Sequence, residues 1–134
     1  MDRMIKTTIA GIERQLCYSV SVMFDMADKY GNIQKALDII QNDGRDSFDA
    51  VKWFAVKMAN EGELCRRDAG YDPFPMVTEK DISPRMAPID YAVLRAAVVD
   101  AIGIGYRRDI DDDEEEEKDL GLEELTAKKT MAGE

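Results

Sequence analysis

The chain has 134 residues, 45% of them apolar, and a formal net charge of −10. That is long enough for one domain with a real core, and too apolar for a disordered chain. It contains no histidine, which excludes a histidine general base, a histidine-activated nucleophile and histidine-ligated zinc.

The charge is unevenly placed. Residues 109–119, DIDDDEEEEKD, hold nine acids and one lysine, while residues 1–108 together carry only −1. Acidity is therefore a property of the C-terminal stretch over a nearly neutral body, which argues against nucleic acid as a partner. Residues 1–108 are expected to form a single folded domain and 109–134 an acidic, flexible tail.

The predicted elements begin with a β-hairpin. Met4–Ala10 and Ile12–Tyr18 are short runs rich in Ile, Thr, Leu and Tyr, joined at Ala10-Gly11, and glycine accepts the positive φ of a tight turn. A single amphipathic helix over 2–17 is the rival, weakened by Gly11. Ser19 is placed to cap a helix that ends near Tyr30 and is closed by Gly31. Val20, Met23, Ala27 and Tyr30 share its expected core face, with Asp25 and Lys29 as an i,i+4 pair opposite. Asn32 caps a second helix with the stripe Ile33, Ala36, Leu37 and Ile40, ended by the turn Asn42-Asp43-Gly44. Asp46, with Asp49 as box-like partner, is expected to cap a third. Its stripe is Phe48, Val51, Phe54, Ala55 and Met58, and it continues through Glu61–Arg67 after a bend at Gly62.

Residues 71–87 contain three prolines and little periodicity, and read as a long loop. Pro88–Ile104 is the longest helix-competent apolar run. Its apolar residues go nearly all the way round the helix, which predicts central burial. Ala92, Ala96 and Gly103 offer a neighbouring helix a close approach. The run is too short and too charged for a membrane span. Leu120–Lys129 makes a short, marginal helix with the stripe Leu120, Leu122 and Leu125. The fold class is thus mainly helical α+β, a hairpin packed on four to five helices.

No motif carries chemistry. The acidic run starts like a calcium loop, but Glu114 stands where the glycine is needed and Leu120 where the bidentate glutamate is needed. Pairs such as Asp25/Asp28 and Glu61/Glu63 read as solvated helix faces. Cys17 and Cys65 lack CxxC spacing and read as reduced, buried thiols. The first residues show no long apolar leader core, so the expected location is the cytoplasm. Neither a catalytic residue, a cofactor nor a metal site is expected. Trp53 and Val56 project among Asp49, Lys52 and Asn60, away from the third helix's core stripe. They form a candidate partner-binding patch, because tryptophan is enriched in interface hot spots.

The order of elements resembles the tail assembly chaperones of long-tailed bacteriophages and their prophage relatives. The strand pair IKTTIAGIERQLCYS leads into VSVMFDMADKYG and then NIQKALDII. The Trp53 helix and the acidic stretch before LGLEELTAKK complete the pattern. The resemblance covers roughly residues 4–70 and the tail. It implies a non-enzymatic protein of the host cytoplasm that binds the tape measure protein and recruits tail tube subunits. In that setting Trp53, Val56, Leu120, Leu122 and Leu125 are the candidate contacts. The alternative is an acidic interaction module or inhibitor of a basic host or phage protein, which predicts acidity over the body as well. A small hydrolase or metal enzyme is a third class, and would need a pair of acids in a cleft.

Overall fold

The computed structural model of the chain describes residues 4–107. An antiparallel hairpin, β1 (Met4–Ile9) and β2 (Ile12–Cys17), is followed by α1 (Val20–Tyr30), α2 (Ile33–Gln41), α3 (Arg45–Asp68) and α4 (Pro88–Tyr106). A 3₁₀ turn, Glu79–Asp81, interrupts the segment between α3 and α4. The fold is mainly helical α+β, as the sequence predicts, with four α-helices. The acidic run, the 120–129 segment and Leu120, Leu122 and Leu125 lie outside the described residues.

The hairpin closes at Ala10-Gly11, where both residues have positive φ, 52° and 81°. This is the pairing a two-residue hairpin turn needs to match strand twist. It sets the register Ile9↔Ile12 to Met4↔Cys17 and turns Leu16 and Arg14 inward, where both are buried.

Helix ends follow local chemistry. The Ser19 hydroxyl accepts from the Val22 N–H at 3.2 Å, and the Asn32 side chain accepts from the Lys35 N–H at 2.9 Å; each satisfies a donor that a helix start leaves free. Gly31 closes α1. The expected Asp46 cap is not used. Helix α3 begins one residue before it, with Gly44 at the capping position and no side-chain cap, and Asp46 sits in the first turn.

One core joins every element: Leu16, Val22, Ile40, Phe54, Met58 and Ile102 are its largest fully buried apolar side chains. The α2 stripe is buried as predicted, and so are Val51, Phe54, Ala55 and Met58 of α3; Phe48 is half-buried. The α1 face is shifted. Val22 and Met26 are buried, whereas Val20 and Ala27 are exposed. Asp25 bonds Lys57 of α3 at 3.1 Å rather than pairing along its own helix with Lys29.

Helix α3 runs unbroken through Gly62, which is not a hinge but a contact. A Cβ at this position would lie 1.8 Å from the Gln15 carbonyl oxygen of β2. Only glycine lets the helix backbone lie against that strand. Buried Ser47 joins three helices: its hydroxyl donates to the Ile40 carbonyl at 2.6 Å and shares a 3.1 Å hydrogen bond with the Tyr91 hydroxyl.

Candidate partner-binding surface

Helix α4 is apolar on nearly every side, but only one side is covered. Leu94, Ala97, Val98, Ala101, Ile102 and Gly103 are buried. Ile89 is 69% exposed and Val93 57%, and Ala92 and Ala96 are exposed beside them. Central burial therefore holds for one side of the helix and for its C-terminal half. The expected close helix neighbour at Ala92, Ala96 and Gly103 is also corrected, because Gly103 is buried whereas the two alanines face outward. Positions 89, 92, 93 and 96 follow i, i+3, i+4, i+7, so they form one apolar stripe on the first half of the helix.

Beside this stripe, β1 and the start of α4 enclose a groove of about 560 Å³. Ile9, Ile82, Met86, Val93 and Leu94 give it apolar walls, and Glu13, Asp81 and Asp90 outnumber Lys6 at its rim. Among ionisable groups, the lining carries three acids against one base, so it complements an apolar segment flanked by basic residues.

Trp53 and Val56 are both half-buried and pack against the core. Trp53 makes edge-on contacts with Phe54 at 4.9 Å and Tyr30 at 5.6 Å between ring centroids, and Lys57 Nζ lies 5.6 Å from its ring. Its aromatic neighbours thus come from α1 and from α3 itself. The rest of the ring borders a shallow groove with Lys29, Ile39, Asp46, Asp49, Lys52 and Glu79.

A second feature was not legible as such: a buried acid near the end of α3. The Glu63 side chain is only 1% exposed. Its carboxylate accepts from Arg66 Nε and Arg67 Nε at 3.0 Å each and from the Phe74 N–H at 2.7 Å, with Arg14 Nη1 of β2 at 4.0 Å. Burial alone would raise its pKa; the Phe74 N–H and the two guanidiniums outweigh that and hold it down to about 2. Glu63 is therefore an ionised structural anchor, not the solvated acid expected and not a general acid near neutrality. Its sequence signal is the pair of arginines at i+3 and i+4; Arg14 and Phe74 are distant in the chain.

These groups also explain the proline-rich loop. Arg66 and Arg67 donate to the Asp72 and Phe74 carbonyls, and the Phe74 ring centroid lies 4.0 Å from the Arg66 guanidinium. Asn60 bonds both backbone groups of Val77, at 2.7 and 3.0 Å, and Val77 and Ile82 are buried. The loop is a strap fixed along α3, and the basic pair Arg66-Arg67 is used to hold it.

Glu61 accepts from the Ser19 hydroxyl at 2.6 Å, so it too is a structural contact. Cys17 is half-buried and Cys65 exposed, which corrects the expectation of two buried thiols. Among the described residues, no three side chains of metal-ligating type come together, and no helix is long and apolar enough to cross a membrane. No family model, curated protein or solved structure matches the chain.

Proposed function

We propose that the chain is a non-enzymatic tail assembly chaperone of a long-tailed bacteriophage or prophage, acting in the host cytoplasm. It holds a helical segment of the tape measure protein on the exposed stripe of α4 and presents the complex to tail tube subunits. The partner's identity rests on the resemblance in residues 4–70 and the acidic stretch. The observation that carries the binding role is the uncovered apolar stripe Ile89, Ala92, Val93 and Ala96 beside the acid-rimmed groove.

The physics suits a helical ligand. A partner helix with residues spaced i, i+3, i+4 and i+7 can lay its apolar face along this stripe. The two alanines permit close approach, and covering Ile89 and Val93 contributes about 1–2 kcal/mol each. Asp81 and Asp90 favour lysine or arginine flanking the partner's apolar face. Residues 109–119 add strong negative charge, which keeps an aggregation-prone partner dispersed, and Leu120, Leu122 and Leu125 follow as a second apolar contact. The nearly neutral body gives less support to an acidic mimic that blocks a basic protein.

The test is co-expression with the tape measure protein encoded in the same genome, scoring its soluble fraction. Full-length protein should raise that fraction, and a chain ending at Arg108 should raise it less. No gain from full-length protein, in a phage whose tails still assemble when the gene is deleted, sinks the proposal.

A further inference from the structure

Cys17 and Cys65 are far apart in sequence and next to each other in space. Cys17 ends β2, on the same outward face as Glu13 and Gln15. Helix α3 crosses that end of the strand at two fixed points. Gly62 is pressed against the Gln15 carbonyl, and Glu61 bonds Ser19. Cys65 lies one turn beyond them on the same side of α3, which sets its thiol beside that of Cys17 at this crossing. One close backbone contact and one side-chain hydrogen bond therefore fix how α3 crosses this end of β2.

The two thiols differ in access. Cys65 is exposed and lines a groove of about 750 Å³ with Met4, Ile12, Arg66, Tyr71 and Phe74. Cys17 is half-buried and does not line that groove. Burial, the Cys65 thiol and Glu61 push the Cys17 thiol up to about 11, which makes it a poor first attacker in neutral solution.

We propose that Cys17 and Cys65 form a thiol–disulfide site that takes a small-molecule disulfide as oxidant and closes into an intramolecular bond between β2 and α3. Cys65, as thiolate, attacks one sulfur of the oxidant and forms a mixed disulfide with it, while the other sulfur leaves as a thiolate and takes a proton from water. Cys17 then attacks the Cys65 sulfur, and its proton goes to the second small thiolate as that group is expelled. The two electrons lost by the protein thiols reduce one small disulfide to two thiols. The bond fastens the hairpin to α3, so oxidation stiffens the body without covering the α4 stripe.

The experiment exposes full-length native protein to oxidised glutathione and follows free thiols and intact mass. Wild type should lose both free thiols, fall in mass by two hydrogens, and yield a linked peptide pair containing Cys17 and Cys65. Cys17→Ser should stop as a glutathione adduct on Cys65. Cys65→Ser should lose its remaining thiol about tenfold more slowly or worse, because the covered cysteine must react first. A wild type that keeps the glutathione adduct, that links only between molecules, or whose thiols stay free overturns the proposal.

Discussion

The two long helices, α3 and α4, are treated in opposite ways by the fold. On α3 the middle of the helix, residues 50–63, has no fully exposed side chain: the core stripe is covered by α2 and the hairpin, Gly62 by the β2 backbone, Glu63 by three arginines and the strap. On α4 the second half buries Ala97, Val98, Ala101, Ile102 and Gly103, yet the first half leaves Ile89 and Val93 in solvent. The helix with more charged residues is the one whose middle is better sealed. Burial here follows what neighbours exist, and charge is accommodated when its partners are brought along. The apolar stripe left uncovered on α4 is the surface on which the proposed function rests.

The largest effect should come from breaking the sealed helix at its closest contact. Gly62→Val forces a side chain into the Gln15 carbonyl and should cost about 4 kcal/mol or prevent folding, as read by urea denaturation. Next is the buried acid. Glu63→Ala leaves Arg14 buried without its counter-charge and frees the strap, and should cost about 3 kcal/mol by the same measurement. The sign with pH follows from the depressed carboxyl. Glu63 contributes fully above its ordinary value of about 4.3, and the contribution is lost as pH falls through about 2. Glu63→Gln should therefore flatten the acid limb of the stability profile between those values.

Trp53→Ala should be milder, about 2 kcal/mol of stability, because the ring is only half-buried although it contacts Tyr30 and Phe54. A larger loss in partner binding than in stability would restore Trp53 as an interface residue. On the open helix the expectation reverses. Ile89→Asp and Val93→Asp should each change the melting free energy by about 0.5 kcal/mol or less, since both side chains already face water. The smallest effect is a gain at the turn: Ala10→Asn suits the positive φ of 52° and should stabilise by about 0.5 kcal/mol.

How much of this was legible depended on how many faces each segment offered. Helix α2 has one apolar stripe, and its four residues are those that are buried. The hairpin was legible from two β-rich runs meeting at a glycine. Helix α1 carries apolar residues on several sides. Its buried face, Val22 and Met26, is chosen by contacts to α3 through Ser19–Glu61 and Asp25–Lys57, which no local pattern encodes. The same holds for Glu63 and the cysteine pair, each completed by residues distant in the chain. For α4 the sequence told that the helix is apolar all round, but the side left uncovered is set by where β1 and α3 stop.

The most direct measurement is the soluble fraction of co-expressed tape measure protein with wild type against the double variant Ile89→Asp/Val93→Asp. The purified variant should keep the wild-type melting profile. The account predicts that it loses most of the solubilising effect. A folded double variant that solubilises the partner as well as wild type would contradict it.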